Sequence, residues 1–433
     1  MNLFPHQFEA VQRMTMAPCF LLADEPGLGK TATLVCLVKN IYYGGNVLVI
    51  CPRNVIKHWR ETFKTWAPNL LMFVTVTNYE RIGQITPALN PQIVILDESH
   101  KLKNEHSKRF LLLWELWRQW QTAAAMNSGG MRVYLATGTP VYSYPVDLMT
   151  ALLLLGQLTV DKIPAFKMRY CNPQRRKMGS RWILDVRGAS NLAELKKACE
   201  PFVLRRSFED AGVQMPTLTL TDLTVAEKIS DPEYLAARED WKKWYVEHGG
   251  RPTGAAMARF TILRRLLALA KVPAAVEQAQ DDLKAGQKVL VFTGFRDSAQ
   301  AIHDIIAADG AKAGLILGGQ SPATRQSVLD EFKNSKEPAA LVATTESIGE
   351  GVDGLQECCR LCIFVDLDFE PAMFVQAIRR LWRLSQRHPV VVRRLFVEGD
   401  PMEEFIQENL LKKERVQREL GLDDAASMSR IRR

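Results

Sequence analysis

Apolar residues occur along this chain in short continuous runs that alternate with amphipathic segments, and this alternation occurs twice. Short apolar runs bounded by polar turns are typical of strands buried in a parallel sheet. Amphipathic segments between them are typical of helices that cover the sheet. The strands predicted in this way lie at about 19–23, 47–51, 72–76, 93–96 and 133–136, and again at 289–292, 314–317, 341–344, 361–365 and 390–397.

The segments outside these two regions follow other patterns. Residues 145–205 break the alternation, and residues 222–284 are predicted to be mostly helical. Residues 402–420 form an amphipathic segment that we expect to pack as a closing helix on one of the domains. Because 433 residues are too many for one hydrophobic core, the pattern predicts two α/β domains, each a parallel sheet flanked by helices, with helical protrusions between them.

The first predicted strand runs directly into a glycine-rich turn that ends in Gly29-Lys30-Thr31. Backbone amides of such a turn, at the start of the next helix, bind phosphates. Lys30 would reach the β- and γ-phosphates, and Thr31 would hold Mg²⁺. Asp24 stands where the usual pattern has Gly, so a plain strand-to-helix turn is the alternative for this motif taken alone.

A second predicted strand, 93–96, ends at Asp97 and Glu98. Carboxylates at the carboxyl end of a central strand lie where open α/β sheets bind ligands. We expect Asp97 to hold the metal and Glu98 to orient or deprotonate the attacking water. Two adjacent acids alone are often a solvated turn, but the glycine-rich turn upstream favours the catalytic interpretation.

The net charge of +8 is concentrated in two segments. Residues 161–190 contain eight Lys or Arg against two Asp, and residues 240–271 contain seven Lys or Arg interleaved with aromatic residues. Such clusters suit contact with a phosphate backbone. Individually, each of these residues is more often part of a solvated helix face.

The second α/β region has no phosphate loop. Instead, residues 376–386 are predicted to form a helix with Arg380 and Arg383 on one face. These arginines could reach a γ-phosphate held by the first region, so hydrolysis would need the two regions to close. A basic helix in contact with solvent or nucleic acid is the alternative.

Composition and hydropathy narrow the class of protein to which the chain can belong. A hydrophobic fraction of 47% with 24% charged residues is ordinary for a globular protein. The sequence has no apolar stretch long enough to cross a membrane, and its N-terminal residues lack the pattern of a signal peptide. We therefore expect an intracellular protein without a membrane partner.

Together these segments resemble the SNF2-type motors of helicase superfamily 2 over almost the whole chain. The matching motifs of the first half are Phe4–Gln7, Asp24–Thr31, Val49–Pro52 with His58 and Trp59, Thr77–Glu80, Asp97–Asn104 and Thr137–Pro140. Those of the second half are Val291–Thr293, Gly318–Arg325, Thr344–Asp353 and Gln376–Gln386. Pro26, Asp353 and Ser385 depart from the family pattern.

The resemblance implies RecA-like domains, ATP and Mg²⁺ as cofactors, and DNA as partner. It assigns catalysis to Lys30, Asp97, Glu98, Arg380 and Arg383, and Mg²⁺ to Thr31 and Asp97. Nucleotide contacts fall on Gln7, which would recognise adenine, and on Asp24, Gly27, Gly29, Lys30, Thr31, Gly351 and Asp353. DNA contacts fall on Thr77, Tyr79, Arg175, Arg176, Lys177, Thr293 and Thr344.

The expected domains are a RecA-like ATP-binding domain at 1–205 with a basic insertion at 145–205, a linker and helical protrusion at 206–284, a second RecA-like domain at 285–400, and a bracing helix at 401–433. Segments around Arg169, Gly188 and Leu204 resemble the branch of DNA-annealing, fork-remodelling motors. We expect a monomeric compact core, as in bacteria and their viruses, cytoplasmic there and nuclear in a eukaryote.

The predicted function is a DNA-dependent ATPase that moves along duplex DNA and remodels DNA or protein–DNA structures, with strand annealing as one outcome. Three alternatives remain at this point. They are a strand-separating DNA or RNA helicase, a non-hydrolysing DNA-binding scaffold, and a small-molecule kinase with a phosphate loop. Intact catalytic residues disfavour the scaffold, and a second α/β region with two basic clusters disfavours the kinase.

Overall fold

The computed structural model describes residues 2–126, 130–178, 181–225, 232–247, 254–348, 354–368, 370–424 and 426. The chain divides into two compact units. Unit 1 comprises Met1–Gln214 with Arg415–Asp424, and unit 2 comprises Met215–Glu414 with Ala425–Arg433. The C-terminal helix, Pro401–Glu419, is therefore divided between the units, whereas the sequence predicted packing on one domain.

Unit 1 contains a parallel sheet whose strands are apolar because helices cover both faces. Its strands are β1 (Cys19–Leu22), β2 (Asn46–Cys51), β3 (Val74–Asn78), β4 (Pro91–Asp97), β5 (Arg132–Ala136) and β8 (Val203–Leu204), and a separate antiparallel hairpin is formed by β6 (Gln174–Met178) and β7 (Arg181–Asp185). The six-stranded sheet has the order β3-β2-β4-β5-β1-β8. Residues 47–50 of β2 are fully buried in the core of this unit.

The helices of unit 1 lie before and between the strands of its sheet. They are α1 (Pro5–Thr15), α2 (Lys30–Ile41), α3 (Ile56–Trp66), α4 (Lys108–Met126), α5 (Met149–Leu154), α6 (Ile163–Tyr170) and α7 (Leu192–Cys199). Helix α2 starts directly after the glycine-rich turn, so its free N-terminal amides lie at that turn.

Unit 2 repeats the architecture with its own parallel sheet in the order β11-β12-β10-β13-β14-β9. The strands are β9 (Leu218–Thr224), β10 (Val289–Thr293), β11 (Lys312–Ile316), β12 (Ala339–Thr344), β13 (Leu361–Phe364) and β14 (Val390–Phe396). The helices are α8 (Pro232–Glu247), α9 (Gly254–Ala270), α10 (Val272–Lys284), α11 (Arg296–Ala308), α12 (Pro322–Asn334), α13 (Thr345–Ile348), α14 (Pro371–Ile378) and α15 (Pro401–Glu419). Two apolar clusters form the core of this unit. The predicted fold class, two parallel sheets flanked by helices, is confirmed.

Two edge strands were not predicted, one in each sheet. Strand β8 has only two residues, which is too short to give a periodic signal, and it pairs with β1. Strand β9 lies in the segment interpreted as linker, and it pairs with β14 along seven residues. The guanidinium of Arg394 in β14 donates two hydrogen bonds to the carboxylate of Asp222 in β9.

The predicted helix over 376–386 is wrong in its extent. Helix α14 ends at Ile378, and Arg380 and Arg383 lie in the turns that follow. The amide of Arg380 bonds to the carbonyl of Ala377, three residues back, so the backbone tightens there. The indole of Trp382, which is buried, donates to the carbonyl of Pro216 at 2.7 Å and holds the chain in this turn.

The described part of the basic segment 240–271 is exposed at Lys243, Arg259 and Arg265 and buried at other positions. Trp241 packs edge-on against Phe260 in the core of unit 2. Arg264 and Lys271 are buried, and Lys271 is paired with the carboxylate of Glu403. A buried cation needs such a partner, so these residues stabilise unit 2 instead of facing DNA.

Across the described ranges, no helix has both the length and the apolar composition that crossing a membrane requires.

Candidate nucleotide site

The glycine-rich turn follows β1 at the carboxyl edge of the sheet in unit 1. Gly27 and Gly29 have φ of 101° and 77°, which favour glycine. A Cβ placed on Gly29 would lie 2.2 Å from Nε2 of Gln7, so no larger side chain fits there without displacing Gln7. The turn therefore presents backbone amides at the start of α2, as a phosphate cradle requires.

Lys30 bends back over this turn. Its ammonium donates to the carbonyls of Asp24 and Glu25 at 2.7 and 3.3 Å. Burial lowers the pKa of Lys30, although Glu98 and Asp24 oppose this shift. A phosphate oxygen would compensate a buried ammonium more strongly than neutral carbonyls do, so the residues present fit a nucleotide phosphate. Thr31, half-buried in the first turn of α2, lies where its hydroxyl could hold Mg²⁺.

Gln7 is fixed against the same turn. Its amide nitrogen donates to the carbonyls of Leu28 and Gly29 at 3.3 and 3.4 Å, and its amide oxygen accepts from the backbone of Phe4 at 3.0 Å. His6 lies 3.0 Å from the Leu28 carbonyl on the same side. The structure thus places Gln7 beside the phosphate loop, and its contact with adenine stays a prediction.

Asp97 ends β4, two strands from β1 at the same edge of the sheet. Its carboxylate accepts from the indole of Trp59 at 2.8 Å and from the amide of Glu98 at 3.0 Å. The phenol of Tyr79 donates to the Asp97 carbonyl at 2.6 Å. Burial, and then the neighbouring charge of Glu98, raise the pKa of Asp97 to about 6. A bound cation would favour the ionised form, so this carboxylate fits a metal ligand.

Glu98 has a left-handed backbone, with φ of 51°, which is uncommon for a residue other than glycine. Its side chain is partly exposed, and Oε2 lies 3.2 Å from Nδ1 of His100. The same ring nitrogen lies 2.9 Å from the hydroxyl of Thr137, which follows β5. The carboxylate that would act on water is thereby held against the residues that follow the neighbouring strand, an arrangement that position along the sequence does not reveal.

Two further residues at this edge were not predicted as site residues. Arg205 and Arg206 follow β8, which places them beside the end of β1. Arg206 donates twice to the carboxylate of Asp24, at 2.6 and 3.2 Å, and both side chains are buried. This pairing accounts for an acid at a loop position where glycine is usual. The adjacent pair of arginines is the feature of the sequence that could have indicated this ion pair. Their position beside the phosphate loop follows from the pairing of β8 with β1.

A basic cavity of about 360 Å³ lies at the same edge, beyond the ends of β2 and β3. Four exposed cations dominate its wall, and it is lined by Arg53, Ile56, Lys57, Arg60, Glu61, Asn78 and Arg81. Thr77 is the residue before Asn78, whereas the Tyr79 hydroxyl is turned inward to Asp97. Tyr79 therefore positions Asp97 in this structure, and Arg53 and Arg81 are better placed than Tyr79 to meet an anion.

In unit 2, the predicted DNA contacts Thr293 and Thr344 are both buried. The Thr293 hydroxyl donates to Asp366 at 2.7 Å, and Arg264 reaches the other oxygen of that carboxylate at 3.3 Å. A side-chain hydrogen bond from Thr293 to DNA would have to replace this contact. The hydroxyl of Thr345, the residue after Thr344, donates to the Thr293 carbonyl at 3.3 Å.

The remaining predicted residues are placed as follows. Arg383 donates from Nε to the carbonyl of Arg379 at 2.8 Å. Arg175 is exposed on β6, and Arg176 and Lys177 follow it in the same strand. Gly351 and Asp353 lie outside the described residues.

A phosphate loop and an acidic pair at one sheet edge, followed by a second parallel α/β unit, define a helicase-type nucleotide hydrolase with two RecA-like domains. The sequence profile of the SNF2-related domain matches residues 6–82 and 72–227, and that of the helicase conserved C-terminal domain matches residues 268–385. The chain belongs to the SNF2-related family.

Its relatives agree with the predicted branch. It is 25% identical over 445 residues to the SWI/SNF-related matrix-associated actin-dependent regulator of chromatin subfamily A-like protein 1 of Xenopus tropicalis, covering 98% of this chain and 45% of that protein. It is 24% identical over 406 residues to the human DNA annealing helicase and endonuclease ZRANB3, covering 88% of this chain and 36% of that protein. The chain thus spans less than half the length of these two relatives. The predicted resemblance to SNF2-type motors and their annealing branch is confirmed.

One solved structure supports the fold. The crystal structure of the Pyrococcus furiosus Hef helicase domain matches with a TM-score of 0.56 at 15% identity, covering 94% of this chain and 97% of that one. At this level of identity, the match concerns the fold alone.

Proposed function

We propose that this chain is a DNA-dependent ATPase that moves along duplex DNA and remodels DNA or protein–DNA structures. The observation that carries the proposal is the convergence of Lys30 on the phosphate loop, Asp97 and Glu98 at one edge of the sheet in unit 1. Membership of the SNF2-related family supports it, as does the similarity to the human DNA annealing helicase and endonuclease ZRANB3.

The nucleotide chemistry follows from the positions of these side chains. Lys30 and the amides of the loop at Gly27 and Gly29 would bind the phosphates of ATP, and Asp24 would hold the loop through Arg206. Thr31 and Asp97 would hold Mg²⁺, which when bound neutralises charge on the phosphates. Glu98 would orient or deprotonate the attacking water, and it is the carboxylate of the pair with the greater access to solvent.

Unit 2 would supply the groups that make hydrolysis depend on DNA. We assign Arg380 and Arg383 to the γ-phosphate during turnover, where a guanidinium stabilises developing charge. Gly351 and Asp353 would contribute further nucleotide contacts. The turn held by Trp382 keeps both arginines in a fixed local backbone, which favours a defined approach.

The DNA backbone would contact unit 1 at the basic cavity. Four positive charges line this cavity, from Arg53, Lys57, Arg60 and Arg81. They can bind phosphates whatever the sequence of the DNA. Thr77 lies beside this cavity, and Arg175, Arg176 and Lys177 would contact DNA elsewhere on unit 1. Thr293 and Thr344 would be the DNA contacts of unit 2, and a contact from the Thr293 hydroxyl would replace its hydrogen bond to Asp366.

Steady-state ATP hydrolysis tests the proposal. The purified protein is assayed alone and with duplex DNA, forked DNA, single-stranded DNA and duplex RNA, each at low and moderate salt. We expect strong stimulation by duplex or forked DNA that weakens with salt. Stimulation by single strands or RNA alone would instead indicate a conventional helicase, and hydrolysis under no condition would contradict the proposed activity.

A further inference from the structure

The hairpin of β6 and β7 forms a sheet of its own in unit 1, apart from the main sheet. Three adjacent apolar residues of β7 are exposed: Trp182 by 68%, Ile183 by 39% and Leu184 by 51%. An indole with this much free surface is unusual in a globular protein, since Trp is highly buried on average. Exposed apolar patches of this kind mark binding surfaces.

The strand register defines which residues share a face. Arg175 of β6 pairs directly with Leu184 of β7. Opposed residues of an antiparallel pair lie on the same face, and so do residues two apart in a strand. Arg175, Trp182 and Leu184 therefore form one face, which we call the hairpin face.

The charge around the hairpin face is positive. By the same register, Lys177 of β6 pairs with Trp182, so the hairpin face includes two basic residues, Arg175 and Lys177. The acid at the end of β7, Asp185, accepts from the guanidinium of Arg187 at 2.9 Å and is thus already paired. The hairpin face is consequently complementary to a negatively charged partner and not to a positively charged one.

The base of the hairpin is fastened to the helices beside it. The carbonyl of Arg169 at the end of α6 accepts from the hydroxyl of Ser190 at 2.7 Å and from the side-chain amide of Asn191 at 2.8 Å. The phenol of Tyr170 donates to Glu194 in α7 at 2.8 Å. These contacts join the segment that precedes the hairpin to the segment that follows it.

We propose that the hairpin face binds unpaired nucleotides next to duplex DNA, with Trp182 stacked on a base and Arg175 near its phosphate. Bases inside a duplex are already stacked on their neighbours, whereas an unpaired base offers a free face to an indole. Aromatic stacking combined with a cationic strand is the general way in which proteins bind single strands without reading sequence. The inference rests on the proposed function and adds to it the site on unit 1 that would hold unpaired nucleotides next to a duplex.

The test compares direct DNA binding by fluorescence anisotropy, without ATP, for a fully paired duplex and a forked duplex with unpaired arms of the same sequence. We expect the wild-type protein to bind the fork more tightly. Trp182→Ala should weaken binding to the fork by at least about fivefold and leave duplex binding unchanged, since one stacked base is lost. Trp182→Phe, which keeps an aromatic face, should retain most of the preference.

Tyr43→Ala is the matched control, since Tyr43 is another exposed aromatic residue of unit 1 and lies outside the hairpin. An unchanged fork affinity in Trp182→Ala would overturn the inference and leave a protein partner as the occupant of the hairpin face. An equal loss on fork and duplex would also overturn it. Because binding is measured without hydrolysis, a protein that never hydrolyses ATP would refute the proposed function while the hairpin face is still judged on its own.

Discussion

The guanidinium of Arg205 donates to the carbonyl of Ala23 at 2.6 Å, and the same nitrogen reaches the carbonyl of Gly138 at 3.1 Å. Ala23 immediately precedes the phosphate loop, and Gly138 lies in the motif that follows β5. The other terminal nitrogen donates to the carbonyl of Asp423 at 2.6 Å. One buried side chain thus joins the start of the loop to the segment beside Glu98 and to the C-terminal residues of unit 1.

Arg205→Lys should therefore disturb catalysis more than nucleotide binding. A lysine cannot provide the forked donors that reach three carbonyls. We expect a loss of roughly 1.5–3 kcal/mol in the free energy of unfolding, the usual value for a hydrogen bond to a charged group. Turnover should fall while affinity for a fluorescent ATP analogue changes little. Urea denaturation measures the free energy of unfolding, ATPase assays measure turnover, and titration with the analogue measures affinity. Arg13→Lys, at an exposed position of the same unit, is the control.

Breaking the Asp24–Arg206 pair should destabilise unit 1 strongly. Arg206→Ala leaves a buried carboxylate without its guanidinium, which typically costs about 3–5 kcal/mol. The double variant Asp24→Asn with Arg206→Met removes both charges and should recover much of this loss. The midpoint of urea denaturation compares the variants. Equal destabilisation by the single and double changes would show that the charge pair is not the cause.

Glu98→Gln should bind ATP normally and hydrolyse it at least about 100-fold more slowly, because loss of a general base costs rate and not affinity. Lys30→Ala should lose both ATP binding and ATP hydrolysis, because it removes the ammonium group that would contact the phosphates. Equilibrium binding of an ATP analogue and steady-state hydrolysis separate the two variants. Near-normal turnover in Glu98→Gln would remove the role assigned to this residue.

Arg383→Ala should leave ATP binding by unit 1 intact and lower DNA-stimulated turnover by roughly 1000-fold, the usual effect of losing an arginine finger. Lys412→Ala, at an exposed cation of unit 2, should leave turnover unchanged. The measurement is hydrolysis with saturating duplex DNA. Full stimulation in Arg383→Ala would mean that this arginine does not act on the phosphate.

Arg53→Ala with Arg81→Ala should weaken DNA binding and reduce its salt dependence. Each arginine that contacts a phosphate contributes about 0.9 to the slope of log affinity against log salt concentration. Lys64→Ala, on the same helix as Lys57 but outside the basic cavity, is the control. Anisotropy titrations over a range of salt give the slopes. A weaker affinity with an unchanged slope would argue against phosphate contacts at the cavity.

Continuous apolar runs such as 47–50 and 93–96 were sufficient to predict the central strands, because a strand buried on both faces leaves no polar alternation. The phosphate loop and the acidic pair were equally readable, since each is a local pattern whose residues all lie within a few positions of a predicted strand. Family membership followed from those local patterns in order. The placement of Arg380 and Arg383 on a helix failed because Trp382, anchored to Pro216, overrides helical periodicity.

Local sequence patterns were thus sufficient to predict the two parallel α/β units and the candidate site residues at the ends of β1 and β4. The distant residues that complete this edge of the sheet are visible in the folded chain alone. The two-residue strand β8 brings Arg205 and Arg206 to Asp24 and Ala23 across about 180 positions of sequence, and the fold buries Arg264 and Lys271 within unit 2. Such contacts depend on sheet pairing and desolvation, which are properties of the packed chain and leave no periodic trace in its sequence.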